Sequence, residues 1–138
     1  MGTVTVATLV LALSTCVSEA NATTASALAI YQRGAFADAA HRQWQAALNL
    51  AACLEKRPHE ANTSSEQRLG ELWMYAGEYA YRAGNTHEAS RFLTLAKRIF
   101  SQLRSSGTLH GRSLDEVLLD AHEVDGDLRK VPSDHSRG

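Results

Sequence analysis

The sequence predicts an all-α protein whose helices pair antiparallel. Three observations predict it. Apolar residues recur at three- and four-residue spacing through most of the chain. Only two prolines interrupt a sequence rich in alanine. No stretch sustains the period-two alternation of β-branched residues that marks a strand. At 138 residues the chain has room for one small domain. Its 14 Lys and Arg stand against 15 Asp and Glu, a net charge of -1, which argues against a nucleic-acid binder acting through bulk positive potential.

Residues 1–22 read as a secretory leader. They hold no Lys or Arg, and an apolar run from Val4 to Val17 leads into the small-residue pattern Ala20-Asn21-Ala22. Cleavage is expected after Ala22, giving a secreted or periplasmic protein; a retained segment and a cytoplasmic protein is the alternative. The n-region lacks the usual positive charge, and the run is shorter than the roughly 20 residues of a membrane span. Leu13-Ser14-Thr15-Cys16 has the outline of a lipoprotein processing box, so membrane attachment is expected only through a lipid on Cys16. Residues 23–128 form the expected helical domain, and residues 129–138 a flexible polar tail.

The first helix is expected over 25–33, with Ala27, Leu28 and Tyr31 on one side and Gly34 as the break. The second starts at Phe36 and carries the stripe Phe36, Ala40, Trp44, Ala47, Ala51, Leu54. A polar connector, Glu55 to Ser65, contains Pro58. Thr63 and Glu66 have the spacing of a capping box, so a third helix begins there and buries Leu69, Leu72, Trp73, Ala76, Gly77 and Ala80. Gly84 ends it. A fourth helix from Thr86 buries Ala89, Phe92, Leu93, Ala96, Ile99, Phe100 and Leu103. Ser113 and Glu116 introduce a fifth, with Leu114, Val117, Leu118, Ala121 and Leu128 as its stripe.

Residues 70–103 resemble a tetratricopeptide repeat, a helix–turn–helix unit of 34 residues. Trp73 and Gly77 occupy first-helix positions of the pattern, Gly84 the turn, and Ala89, Leu93 and Ala96 the second helix; Ser101 replaces the usual closing proline. Residues 21–54 match more loosely through Leu28, Tyr31, Ala40, Trp44 and Ala47, at an offset of 49, with Gly34 one residue early. The excess over 34 resembles the lengthened repeats of kinesin-light-chain type. The resemblance implies a short right-handed superhelix, with the fifth helix as a C-terminal cap.

Charge is segregated along the last two helices. From Ala89 to Arg104 every charge is basic; from Asp115 to Asp127 every charge is acidic. No catalytic constellation is legible. The six histidines form no i,i+4 pair, and Asp125-Gly126-Asp127 lacks the other ligands of a calcium loop. No phosphate-binding or nucleophile-elbow motif is present. Two cysteines make no disulfide framework, and Cys53 reads as a lone thiol serving as a small core hydrophobe. Asn62-Thr63-Ser64 is a glycosylation sequon on the connector.

The functional expectation is therefore a non-catalytic module for protein–protein interaction, with no cofactor and no metal. The resemblance places a peptide or partner helix on a concave face lined by the first helices of the pairs. On this chain that face would carry Gln32, Arg33, Glu71, Met74, Glu78, Tyr81 and Arg82. Two alternatives stand beside it: an assembly subunit that forms a homo-oligomer or docks on a larger complex, and a small enzyme with a non-local site.

Overall fold

The computed structural model describes residues 14–106, and all the regular structure among them is helical. Helix α1 spans Cys16–Gln32, α2 Phe36–Lys56, α3 Thr63–Arg82 and α4 Thr86–Ser106. A single 3-10 turn, Pro58–Glu60, lies between α2 and α3. The expected fifth helix, the polar tail and the first thirteen residues of the expected leader lie outside the described residues.

Helix α1 starts nine residues before the expected Ala25 because a cap sits upstream. The Thr15 hydroxyl accepts from the Ser18 N–H, and the Ser18 hydroxyl accepts from the Thr15 N–H. The cap of α3 falls one residue before the expected Thr63. Asn62 and Ser65 exchange the same two bonds, so the reciprocal partner is Ser65 and not Glu66. At α4 the Asn85 side chain accepts from the Glu88 N–H at 3.1 Å.

Two turns of one design close the helical pairs. Gly34 and Gly84 have φ of 84° and 83°, a left-handed backbone that costs glycine little. The Gly34 N–H donates to the Tyr31 carbonyl and the Gly84 N–H to the Tyr81 carbonyl, each at 2.9 Å. One step on, Ala35 donates to Ile30 and Asn85 to Ala80. Each of these bonds recurs fifty residues later, so the repeat offset is fifty and not the expected 49. In this register Gly34 is in place. Ala39 matches Ala89 and Ala46 matches Ala96, all four fully buried. Leu28, expected inside, is 43% exposed.

Helix directions follow from named contacts. A disulfide joins Cys16, at the start of α1, to Cys53, near the end of α2, so these helices run antiparallel. In the second pair, Gly70 faces Phe100 and Gly77 faces Leu93, again antiparallel. The Arg68 Nε donates to Asn21 Oδ1 at 2.9 Å, and the Tyr31 and Tyr79 rings stack at 4.5 Å. Those two contacts run in the same order along both helices, so α1 and α3 are parallel neighbours. Each helix packs chiefly on the next in sequence. The core runs through the stack, with Leu50, Leu72, Leu93 and Phe100 among its largest fully buried side chains.

The disulfide corrects the reading of Cys53 as a lone thiol: the described residues contain no free cysteine. Around it the start of α1 is fastened twice more. The Cys16 N–H donates to the Glu60 carboxylate at 2.8 Å, and Arg57 donates to the Ser14 carbonyl at 2.9 Å. The expected cleavage point after Ala22 thus falls inside α1. A chain cut there would lose Cys16, its disulfide and the Thr15 cap. A lipid on the Cys16 sulfur and the disulfide exclude each other, since both use the same thiol. No helix among the described residues is long and apolar enough to cross a membrane.

Candidate functional site: a groove between the second helices

The residues expected to line a concave face are dispersed. Met74 is 5% exposed and belongs to the core, because the α3 stripe is wide enough to bury it with Leu72 and Trp73. Tyr81, expected to be exposed, is half-buried and packed on the core. Glu71 and Glu78 are half-buried, and Glu71 lies 3.5 Å from Arg68, whose Nε reaches across to α1. Only Gln32, Arg33 and Arg82 are exposed, and all three sit at the turn end of the stack. The seam between the first helices is occupied by its own side chains, the Tyr31–Tyr79 stack and the Asn21–Arg68–Glu71 chain of polar contacts.

The open concavity lies on the other side, between α2 and α4. One section, of about 520 Å³, is lined by Ala40, His41 and Trp44 of α2, Ala80 and Ala83 beyond them, and Glu88, Arg91 and Phe92 of α4. A second, of about 680 Å³, continues from the shared Trp44, Arg91 and Phe92 to Leu48, Trp73, Leu95 and Arg98. Together they form a long trough with an apolar floor and a mainly basic rim on the α4 side.

Local sequence explains the trough. Trp44 and Leu48 are one turn apart on α2, and Arg91, Leu95 and Arg98 follow at four and three residues on α4, so each set shares a face. Trp44 and Leu95 are half-buried and Leu48 is 41% exposed, which leaves apolar surface facing solvent. The Trp73 and Phe92 rings, 5.6 Å apart, brace the floor from beneath. The Arg91 guanidinium lies 5.3 Å from the Phe92 ring centroid and donates to Glu88 at 2.7 Å, which holds it along the rim. His41 stands 5.4 Å from Trp44.

This arrangement suits the apolar face of an amphipathic segment whose outer edge carries acid. Its polar groups are His41, Asn85, Glu88, Arg91, Thr94 and Arg98, and the Thr94 hydroxyl donates to the Ser90 carbonyl of its own helix at 2.9 Å. Among the described residues no three His, Cys, Asp or Glu side chains gather to hold a metal ion. One signal for the trough was present in the sequence. Leu48 lies on α2 outside the stripe that carries Trp44, a large apolar residue off the face that the stripe buries. Comparison with known proteins gives no match: no family model, no curated protein and no solved structure matches this chain.

Proposed function

We propose that this chain is a non-catalytic protein–protein interaction module. It is a short tetratricopeptide-like stack, exported to an oxidising compartment, that holds an amphipathic segment of a partner in the α2–α4 groove. The groove carries the proposal: Trp44, Leu48 and Leu95 expose apolar surface in a trough rimmed by Arg91 and Arg98. Aromatic and arginine side chains in a concave site are where binding energy concentrates. The repeat-like reading is supported by the fifty-residue recurrence of the turn bonds and by the parallel course of α1 and α3. Export is supported by the Cys16–Cys53 disulfide, because such bonds persist in oxidising compartments. The groove lies on the second helices, whereas the resemblance implies a ligand on the first, where Tyr31 and Tyr79 fill the seam.

The test is capture of a partner from the native source with the oxidised chain, followed by titration of variants. Leu48→Asp and Arg91→Ala are expected to leave folding intact and to weaken binding by roughly 1–2 kcal/mol each. Arg33→Ala and Arg82→Ala, at the turn end, are expected to bind as the parent does. Unaltered binding by the groove variants, or an equal loss at Arg33 or Arg82, would move the site to the turn end.

A further inference from the structure

The connector between α2 and α3 carries a motif that the groove does not use. Asn62-Thr63-Ser64 is an acceptor sequence for an N-linked glycan, with a middle residue other than proline. The fold sets it at a corner of the surface. Ala61, Asn62 and Ser64 are exposed, as are Pro58 and His59 before them. The Asn62 backbone is extended, with φ -149° and ψ 178°, and α3 begins at the next residue. Elementary chemistry orients its amide. The Ser65 N–H can only donate, so it pairs with Oδ1 at 2.9 Å and turns Nδ2, the atom that a glycan occupies, to the other side. Among the described residues Nδ2 makes no hydrogen bond. A second triplet of the same type, Asn21-Ala22-Thr23, lies inside α1 and serves its packing. There Asn21 Oδ1 accepts from Arg68, and the Thr23 hydroxyl donates to the Glu19 carbonyl at 3.3 Å.

We propose that Asn62 is a modification site, bearing an N-linked glycan added during export. This rests on the reading of the chain as exported to an oxidising compartment. In the transfer, Nδ2 attacks the anomeric carbon of a lipid-pyrophosphate-linked oligosaccharide. The N–C bond forms as the C–O bond to phosphate breaks. The lipid pyrophosphate leaves with the bonding pair, and Nδ2 gives up one proton to a base of the transferase. The folded protein houses the product without loss. A glycosylated asparagine is still an amide with a carbonyl oxygen, so the Ser65 N–H keeps its partner and α3 its cap. The reciprocal bond, from the Asn62 N–H to Ser65 Oγ, is untouched. The glycan is rooted beside the polar clamp at the disulfide end, where Glu60 accepts from the Cys16 N–H and from Arg57. Trp73, which lines the groove, lies about 16 Å further along α3. The sugar thus hydrates an end that is already polar and stands away from the groove.

Trypsin separates the two asparagines, since Asn21 falls before Arg33 and Asn62 between Lys56 and Arg68. The full chain is purified from its native source, and its peptides are read by tandem mass spectrometry without reduction. Sugar mass is expected on Asn62, in a protein whose Cys16–Cys53 bond is formed. Three variants made in the same source separate the acceptor from the cap. Asn62→Asp keeps a capping oxygen and removes the acceptor nitrogen, Ser64→Ala removes only an exposed hydroxyl, and Ser64→Thr preserves the motif. Occupancy of residue 62 is expected to fall roughly tenfold or more in the first two and to hold in the third. All three should keep the helical circular dichroism of the parent, because aspartate caps as well as asparagine does. An unmodified Asn62 in protein with the disulfide formed overturns the proposal and leaves the export reading standing. An unmodified Asn62 beside free thiols overturns both. Sugar found on Asn21 alone, or unchanged occupancy in Ser64→Ala, also overturns the proposal.

Discussion

Replacing Gln43 by Leu should stabilise the protein, although it removes a hydrogen bond. Gln43 is fully buried at the α1–α2 interface. Its Nε2 donates to Thr24 Oγ1 at 3.3 Å, and its Oε1 has no partner. An unsatisfied buried acceptor costs about 1–3 kcal/mol, and a long neutral bond returns at most about 1 kcal/mol. The corresponding position of the second hairpin is Leu93, 1% exposed, so the geometry already accommodates leucine at this crossing. Thr24 itself is only half-buried. The net expectation for Gln43→Leu is a gain of about 1–2 kcal/mol. Urea unfolding followed at 222 nm, disulfide intact, should show a higher midpoint at unchanged slope. Thr24→Val in both backgrounds should give a coupling below about 0.5 kcal/mol. A lower midpoint for Gln43→Leu, or a coupling above 1 kcal/mol, would mean that the Gln43–Thr24 bond is strong and the argument from Oε1 wrong.

Other predictions concern the joints of the stack. Cys53→Ser should lower stability by roughly 4 kcal/mol on the loop-entropy model, since the bond closes a separation of 37 residues; unfolding with and without reductant checks it, and reductant should not affect the variant. Gly77→Ala should cost about 1–3 kcal/mol, because a Cβ there would meet the Leu93 side chain at 2.9 Å and the Ala89 carbonyl oxygen at 3.3 Å; thermal melting measures it. The Cys16 N–H, then Arg57, hold the Glu60 carboxyl below its ordinary value of 4.5. Its stabilisation is therefore complete above that value and lost as pH falls through the lowered one. Glu60→Gln should accordingly flatten the acid limb of a stability-against-pH curve and leave no difference in shape near neutrality. If the exported chain keeps the disulfide, sequencing its N-terminus should give a start at or before Cys16; a start at Thr23 would exclude the Cys16–Cys53 bond.

Much of the fold was legible because helices announce themselves locally. The Gly34 and Gly84 breaks and the starts at Phe36, Thr63 and Thr86 all rest on short-range patterns, and the structure has each of them. What failed was non-local or depended on how a segment was first classed. Residues 14–22 have the small residues of a leader's cleavage region, and those same residues make the first turns of α1, capped by Thr15. Once the segment was set aside, Cys53 lost its partner and the disulfide became invisible. The one-residue error in repeat register came from alanines that are adjacent in α2. Ala39 and Ala40 are both buried, as are Ala46 and Ala47, so composition alone does not choose between them. The site was misplaced for a physical reason as well. Surface or core is decided at a helix by how many neighbours it has: α3 has partners on several sides and buries Met74, while α2 and α4 leave a trough between them.

The two hairpins reach one geometry with different side chains, and the differences compensate. Where α3 has Gly70 and Gly77, the matching positions of α1 are Ala20 and Ala27, both buried. Opposite Gly70 stands Phe100, whose ring atoms lie so close that an added Cβ would meet one at 2.6 Å. The position that matches Phe100 on α2 is Leu50, also fully buried. A larger residue on one helix is thus answered by a smaller one on the other, glycine with phenylalanine in the second pair and alanine with leucine in the first. Close-packed interiors tolerate such exchanges only when the summed volume is kept. The compensation is incomplete at the next crossing, where Gln43 stands in the place of Leu93 and leaves its carbonyl oxygen unsatisfied. The first pair therefore lacks both the aromatic wedge and a fully apolar crossing. It also carries the only covalent link among the described residues, with Glu60 and Arg57 bonded beside it at the same end. The disulfide thus sits on the hairpin that has neither the aromatic wedge nor the fully apolar crossing.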